Sequence, residues 1–168
     1  MDQLESMYRK HAPAVYRFAL GLCGERSAAE DLVSETFVHL VAGSPRIETV
    51  TALAYLLAIA RNTYLSGLRR RKREVPLRDE IPAGGLDPDM LLDDRARLAK
   101  VMRALQDLSE GERSALLLRV DHELSYEDVA AALGTTAGAA KVRVHRARLR
   151  LARALECEGV DHGARSDT

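Results

Sequence analysis

The sequence predicts an all-α protein of two small helical domains, an N-terminal helical bundle and a C-terminal helix-turn-helix bundle, joined by an acidic Pro/Gly-rich linker. Three observations carry that prediction. Apolar residues recur at helical spacing along most of the chain, and nowhere do Val, Ile and Thr alternate with polar residues for long enough to argue a strand. EVPLRDEIPAGGLDPD, from Glu74 to Asp89, breaks that periodicity with three prolines, a Gly pair and five acids. LSYEDVAAALGTTAGAAKVRVHRARLRLARAL, from Leu124 to Leu155, reads as helix, tight turn and basic helix. The expected division is a first domain over 1–73, a flexible linker over 74–90, a second domain over 91–156 and a disordered tail over 157–168.

In chain order, a first helix is expected over Gln3 to Lys10. Pro13 suits the first turn of a second helix, ending near Leu22, because its missing amide costs nothing there. Ser27 and Glu30 have capping-box spacing for a third helix over Ala28 to Val41, which Gly43, Ser44 and Pro45 then break. A long fourth helix runs from Thr51 to Arg73. Its first half is apolar all round, which argues burial. Its second half, RNTYLSGLRRRKR, keeps Leu65 and Leu68 for the core and gathers Asn62, Ser66, Arg69 and Arg73 on the opposite face.

Beyond the linker, a helix over Leu91 to Leu108 precedes a second capping box, Ser109 with Glu112, and a helix reaching Val120. Ser125 caps the next helix, with Glu127 and Asp128 suiting its positive end. Gly134 stops it, and Thr135 or Thr136 caps the last one. Ala140, Val144, Ala147, Leu151 and Leu155 form an apolar stripe on that last helix. Basic residues fill its other faces, with no acid between Lys141 and Arg153. A glycine turn followed by such a helix has the form of a helix-turn-helix whose second helix enters the major groove.

Total charge is balanced, with 25 basic and 25 acidic side chains, so bulk composition does not point to nucleic acid. Distribution does. Basic residues concentrate at Arg69–Arg73 and Lys141–Arg153, and acids between Glu74 and Asp94; local fields of this kind steer partners. Cys23 and Cys157 make no metal-spaced pair and fit a reducing cytoplasm, Cys23 as a small buried hydrophobe. The most apolar run, ALAYLLAIA at 52–60, falls short of the ~20 residues a bilayer span needs. A soluble cytoplasmic protein is expected. His11, His39, His122, His145 and His162 are scattered without metal-ligand spacing. No catalytic residue, metal site or cofactor is therefore assigned, and the protein is expected not to be an enzyme.

Taken together, the blocks AEDLVSETFVHL (29–40), AYLLAIARNTYLSGLRRRKR (54–73) and LSYEDVAAALGTTAGAAKVRVHRARLRL (124–151) resemble the extracytoplasmic-function sigma factors of bacterial RNA polymerase. The resemblance spans about Glu5 to Leu155. It implies a subunit that binds core RNA polymerase, recognises a promoter and melts it. In the first block it implies contact of Asp31, Glu35 and Thr36 with the clamp coiled coil of the polymerase's large subunit; Phe37 aligns with Val33 and Leu40 and reads as core. In the second it assigns a base of the opened minus-ten strand to Asn62, phosphates to Arg61, Arg69 and Arg70, and further minus-ten contacts to Tyr64 and Ser66. The loop Gly43 to Val50 corresponds to a pocket for a flipped base.

In the third block the resemblance assigns the minus-thirty-five element to Gly138, Lys141, Val142, Arg143, His145, Arg146 and Arg148. Lys141 and Arg146 are the expected groove contacts, with Arg143 and Arg148 on phosphates. The chain departs from the family pattern at Ala139, Ala140 and Val142, which places its own promoter preference there. It further implies promoter DNA and an anti-sigma factor as partners. The alternative is a stand-alone helix-turn-helix regulator acting without core polymerase, which would leave the first block and the basic end of the fourth helix unexplained.

Overall fold

A computed structural model describes residues 2–43, 51–74 and 91–161. All the regular structure among them is helical, as expected. Three long helices form the first half: α1 (Asp2–Cys23), α2 (Arg26–Ala42) and α3 (Ala52–Glu74). The second half comprises α4 (Leu92–Asp107), α5 (Glu110–Leu116), a π-helical turn (Leu117–Asp121), α6 (Tyr126–Leu133) and α7 (Ala137–Asp161). The expected linker beyond Glu74, the loop after Gly43 and the last seven residues lie outside the described residues.

Local signals set most helix ends. Ser109 accepts from the Glu112 amide at 3.3 Å, and Ser125 from the Asp128 amide at 3.1 Å. Gly134 ends α6 in the left-handed region (φ 64°), and Thr136, of the two threonines, caps α7 by accepting from the Ala139 amide at 3.1 Å.

Three ends differ from expectation. Pro13 does not open a helix but lies within the continuous α1. It is exposed, on the side facing away from Val15, Phe18 and Leu22, where water can satisfy the carbonyl that its ring leaves without an amide. Ser27 makes no cap, because α2 starts earlier, at Arg26, with Glu25 as its N-cap residue. The helix expected to end at Leu155 continues to Asp161, so residues 157–161 are helical rather than disordered.

The two halves share one core. Val15, Phe18 and Leu22 of α1, Leu32 and Val33 of α2, and Leu56 and Leu57 of α3 join a single apolar cluster with Leu117, Leu118, Val129, Val144 and Ala147. Gly21 lies at a close approach between them: a Cβ there would lie 2.7 Å from a Leu117 methyl. Helix α3 packs against α6, and α1 against α4 and α5. The chain is therefore folded back on itself.

Candidate nucleic-acid interface

Helix α3 sets up its polar face by rotation. Asn62, Ser66, Arg69 and Arg73 are all exposed along one side, as their spacing predicts, and Arg70 is exposed beside them. Tyr64 is half-buried, its hydroxyl accepting from Arg113 at 3.4 Å, and burial pushes that phenol up from its ordinary pKa. In this conformation its ring is packing rather than a free stacking platform. Arg61 stands apart from the other expected minus-ten residues. It is only 8% exposed. Its Nε and Nη2 donate to the two Glu110 carboxylate oxygens at 2.8 and 3.0 Å, and its Nη1 to the Ala132 carbonyl at 3.2 Å. A phosphate cannot reach it while these bonds stand.

Helix α7 presents the second basic surface. Ala140, Val144 and Ala147 are buried against α5 and α6, which leaves Gly138, Lys141, Val142, His145, Arg146 and Arg148 exposed and Arg143 partly so. Val142 stands 48% exposed amid the charges, an apolar group open to solvent. A shallow groove of about 430 Å³ runs along this face, lined by Tyr126, Lys141, Val142, His145 and Arg146. Tyr126 was not among the expected site residues. Its ring carries the Arg119 guanidinium at 4.2 Å and the Lys141 ammonium at 6.0 Å, so it braces two basic side chains on this face. The sequence signal was its place as the first residue of α6, directly after the cap.

On α2, Asp31 and Glu35 are exposed one turn apart, on the face opposite the buried Leu32, Val33 and Phe37. Phe37 meets the Tyr8 ring edge-on at 4.8 Å, in the core as expected. Thr36 corrects the expectation placed on it. Its side chain is fully buried and donates to the Leu32 carbonyl at 2.6 Å, so it shapes α2 and presents nothing to a partner. Asp31 and Glu35 also line a cleft of about 310 Å³ between α2 and α3, together with Cys23, Tyr64, Arg70 and Arg71. Burial pushes the Cys23 thiol up to about 11, which keeps it protonated and inert.

Two titratable groups sit where the halves meet. Burial pushes the Glu110 carboxyl up, but hydrogen bonds from Arg61 and Ser114 and the charges of Arg61 and Arg113 outweigh it, and the net shift is down. His122 has a side chain only 1% exposed, 3.3 Å from Asp121 and edge-on to Phe18 at 5.8 Å. Burial lowers its pKa; Asp121 opposes and Arg17 assists, and the net shift is again down. The unfolded chain takes up a proton near the ordinary 6.5, while the folded chain resists it, so acidification below that value favours unfolding. Glu110 acts only below 4.5, and His11, also lowered, acts in the same window as His122. Thermal stability is therefore expected to fall between pH 7.5 and 5.5, and the fall should shrink in His122→Gln. An unchanged pH dependence in that variant would remove His122 as the cause.

The comparisons with known proteins fit this geometry. Residues 7–74 match the family profile described as Sigma-70 region 2, and residues 98–151 match the one described as Sigma-70, region 4. A chain carrying both regions in this order is an RNA polymerase sigma factor. EcfG, an ECF RNA polymerase sigma factor from Rhodopseudomonas palustris, is 33% identical over 168 residues, covering 99% of this chain and 93% of that relative. The ECF sigma factor SigC from Mycobacterium tuberculosis is 34% identical over 147 residues, covering 86% of this chain and 79% of its own. SigE from Mycolicibacterium smegmatis is 33% identical over 156 residues; the match covers 90% of this chain and 61% of that longer relative. The chain belongs to the ECF family of RNA polymerase sigma factors. In three dimensions it resembles the sigma factor RpoE from Bartonella quintana, solved in complex with the anti-sigma factor NepR. The TM-score is 0.77 at 32% identity, covering 93% of this chain and 98% of that one.

Proposed function

We propose that this sigma factor docks on core RNA polymerase through the Asp31–Glu35 face of α2, traps the melted minus-ten strand on α3 and reads the minus-thirty-five duplex with α7. The observation that carries the proposal is the pair of exposed basic faces on two separate helices of one chain, beside an acidic face on a third. A stand-alone regulator would use α7 alone. Asn62 would read an unstacked base, with Ser66, Arg69 and Arg70 along the same strand. On α7, Lys141 and Arg146 would reach base edges, Val142 a methyl group, Arg143 and Arg148 phosphates, and Gly138 and His145 the flanks of the groove. The protein would serve as a specificity subunit and not as a catalyst. It would work in the cytoplasm and be bound by an anti-sigma factor, RpoE having been solved in complex with the anti-sigma factor NepR. Among the described residues, no helix is long and apolar enough to cross a membrane.

Two weak DNA-binding faces on one body act together only when both are engaged, so core polymerase should be required for tight promoter binding. Gel shifts with and without core test this: sequence-specific binding by the protein alone, unchanged by core, would overturn the proposal. Asn62→Ala is expected to lower open-complex formation on duplex promoters by roughly ten- to a hundredfold, the equivalent of about 1–3 kcal/mol for one base contact, with core affinity unchanged. Equal loss of both would take Asn62 out of this role.

A further inference from the structure

Gly67 is not explained by the packing of the described residues around it. It lies in the interior of α3, where glycine is about 1 kcal/mol worse than alanine, and a Cβ built on it meets no heavy atom within 4 Å. Such a glycine leaves room beside the backbone for something outside the chain. It opens onto the cleft of about 310 Å³ between α2 and α3, a volume at the lower end of small-molecule sites. Thr63, Tyr64, Gly67, Arg70 and Arg71 follow one stripe of α3 along that cleft, and Ala28, Asp31, Leu32 and Glu35 follow one stripe of α2.

The cleft has a charged wall of each sign. Glu25, Asp31 and Glu35 line the α2 side, Arg70 and Arg71 the α3 side. Among the described residues, none of these five forms an ion pair. Burial keeps the Cys23 thiol and the Tyr64 phenol between them protonated. Register places the charges. His39 Nδ1 donates to the Thr63 hydroxyl at 2.8 Å, whose own proton goes to the Ile59 carbonyl. At the other end Glu25 and Arg71 both act on Cys23, so α2 and α3 run antiparallel. Glu35, one turn before His39, is therefore level with Gly67, one turn after Thr63. Asp31, a further turn back, is level with Arg70 and Arg71.

We propose that this cleft binds a free basic α-amino acid, its α-ammonium on Asp31, its carboxylate on Arg70 and Arg71, and its side-chain cation on Glu35 over Gly67. An α-amino acid carries ammonium and carboxylate on one carbon, which is what Asp31 level with two arginines can hold. The side chain must then cross one helical turn, about 5.4 Å, to reach Glu35, a span that suits the arm of arginine or lysine. Leu32 and Leu68 supply apolar lining for that arm. Charge agrees as well: the lining has one excess negative charge, and a basic amino acid has one net positive charge. The site itself does not depend on the role proposed for α2. Its consequence does, because a ligand there would cover Asp31 and Glu35 and compete with core polymerase.

Titration of the full chain with L-arginine, followed by amide NMR shifts, tests the site. Saturable shifts confined to the cleft are expected, with a Kd of roughly 1 mM or below. L-Citrulline, which lacks the side-chain charge, and N-acetyl-L-argininamide, which lacks both α-charges, should each bind at least about fivefold more weakly, the loss of one charge-assisted contact at a partly exposed site. Gly67→Leu should abolish the shifts by filling the cleft. Arg71→Gln should weaken L-arginine at least about fivefold and leave N-acetyl-L-argininamide unchanged. Gly67→Ala should raise the melting temperature by roughly 2–4 °C. Shifts that do not saturate, that survive Gly67→Leu, or that N-acetyl-L-argininamide reproduces at equal concentration would overturn the proposal, the last by making the cleft a socket for an arginine of a partner chain. So would a lower melting temperature in Gly67→Ala, which would show that the glycine serves the fold. At equal ionic strength, saturating L-arginine should also weaken binding to core polymerase. A saturated cleft without that loss would leave the ligand site standing and overturn the Asp31–Glu35 docking face instead.

Discussion

Replacing Lys141 and Arg146 together with alanine is expected to weaken binding of the core-bound protein to the minus-thirty-five duplex by roughly thirtyfold or more, while leaving thermal stability almost unchanged. Each good base-edge contact from a basic side chain is worth about 1–3 kcal/mol, and 1.4 kcal/mol is tenfold in affinity. The two positions are five residues apart, about 7.5 Å along the helix axis, and share no partner among the recorded contacts, so their effects should nearly add. Both side chains are exposed on α7 and neither contributes to the apolar stripe, so the folded state loses nothing large. Arg150, on the same helix, is the control. It donates to the Glu112 carboxylate at 3.0 Å, and Glu112 is buried, so Arg150→Ala should reduce stability before it reduces DNA affinity. Fluorescence anisotropy with promoter and scrambled duplexes separates the cases. A double variant that loses affinity equally for both duplexes would show these residues to be phosphate contacts and leave sequence reading to Val142 and its neighbours.

What could be read from the sequence, and what could not, divides by range. Ser109, Ser125, Gly134 and Thr136 act on amides within four residues, so their roles are visible locally, and the helix-turn-helix followed from them. Pro13 misleads because its effect depends on which side of α1 faces water, a property of packing with α2 and α3. The burial of Thr36 and Arg61 is legible from periodicity. Thr36 lies four residues from both Leu32 and Leu40, and Arg61 lies four from Leu57 and Leu65, so each sits on the inward stripe of its helix. Periodicity outweighed family position at both sites. The partner of Arg61 was not legible, since Glu110 is 49 residues away and only the folded chain brings them together. Glu110 itself reads as an ordinary first-turn acid of α5.

The core offers the second large effect. Phe18→Ala is expected to destabilise the protein by about 3–5 kcal/mol, the usual result of emptying a fully buried aromatic site. For a chain of this length that corresponds to a fall in melting temperature of roughly 6–20 °C. The size of the effect is less informative than where it is felt. Phe18 belongs to α1, yet its ring meets His122, beyond the π-helical turn of the second half. If the continuous core acts as one unit, amide exchange should quicken in α6 and α7 as well as in α1 to α3. Exchange in α6 and α7 that ignores Phe18→Ala in the otherwise natural chain would mean that the halves touch without stabilising one another. The transmitted part cannot exceed the free energy of contact between the halves, so its magnitude measures how strongly they stabilise one another.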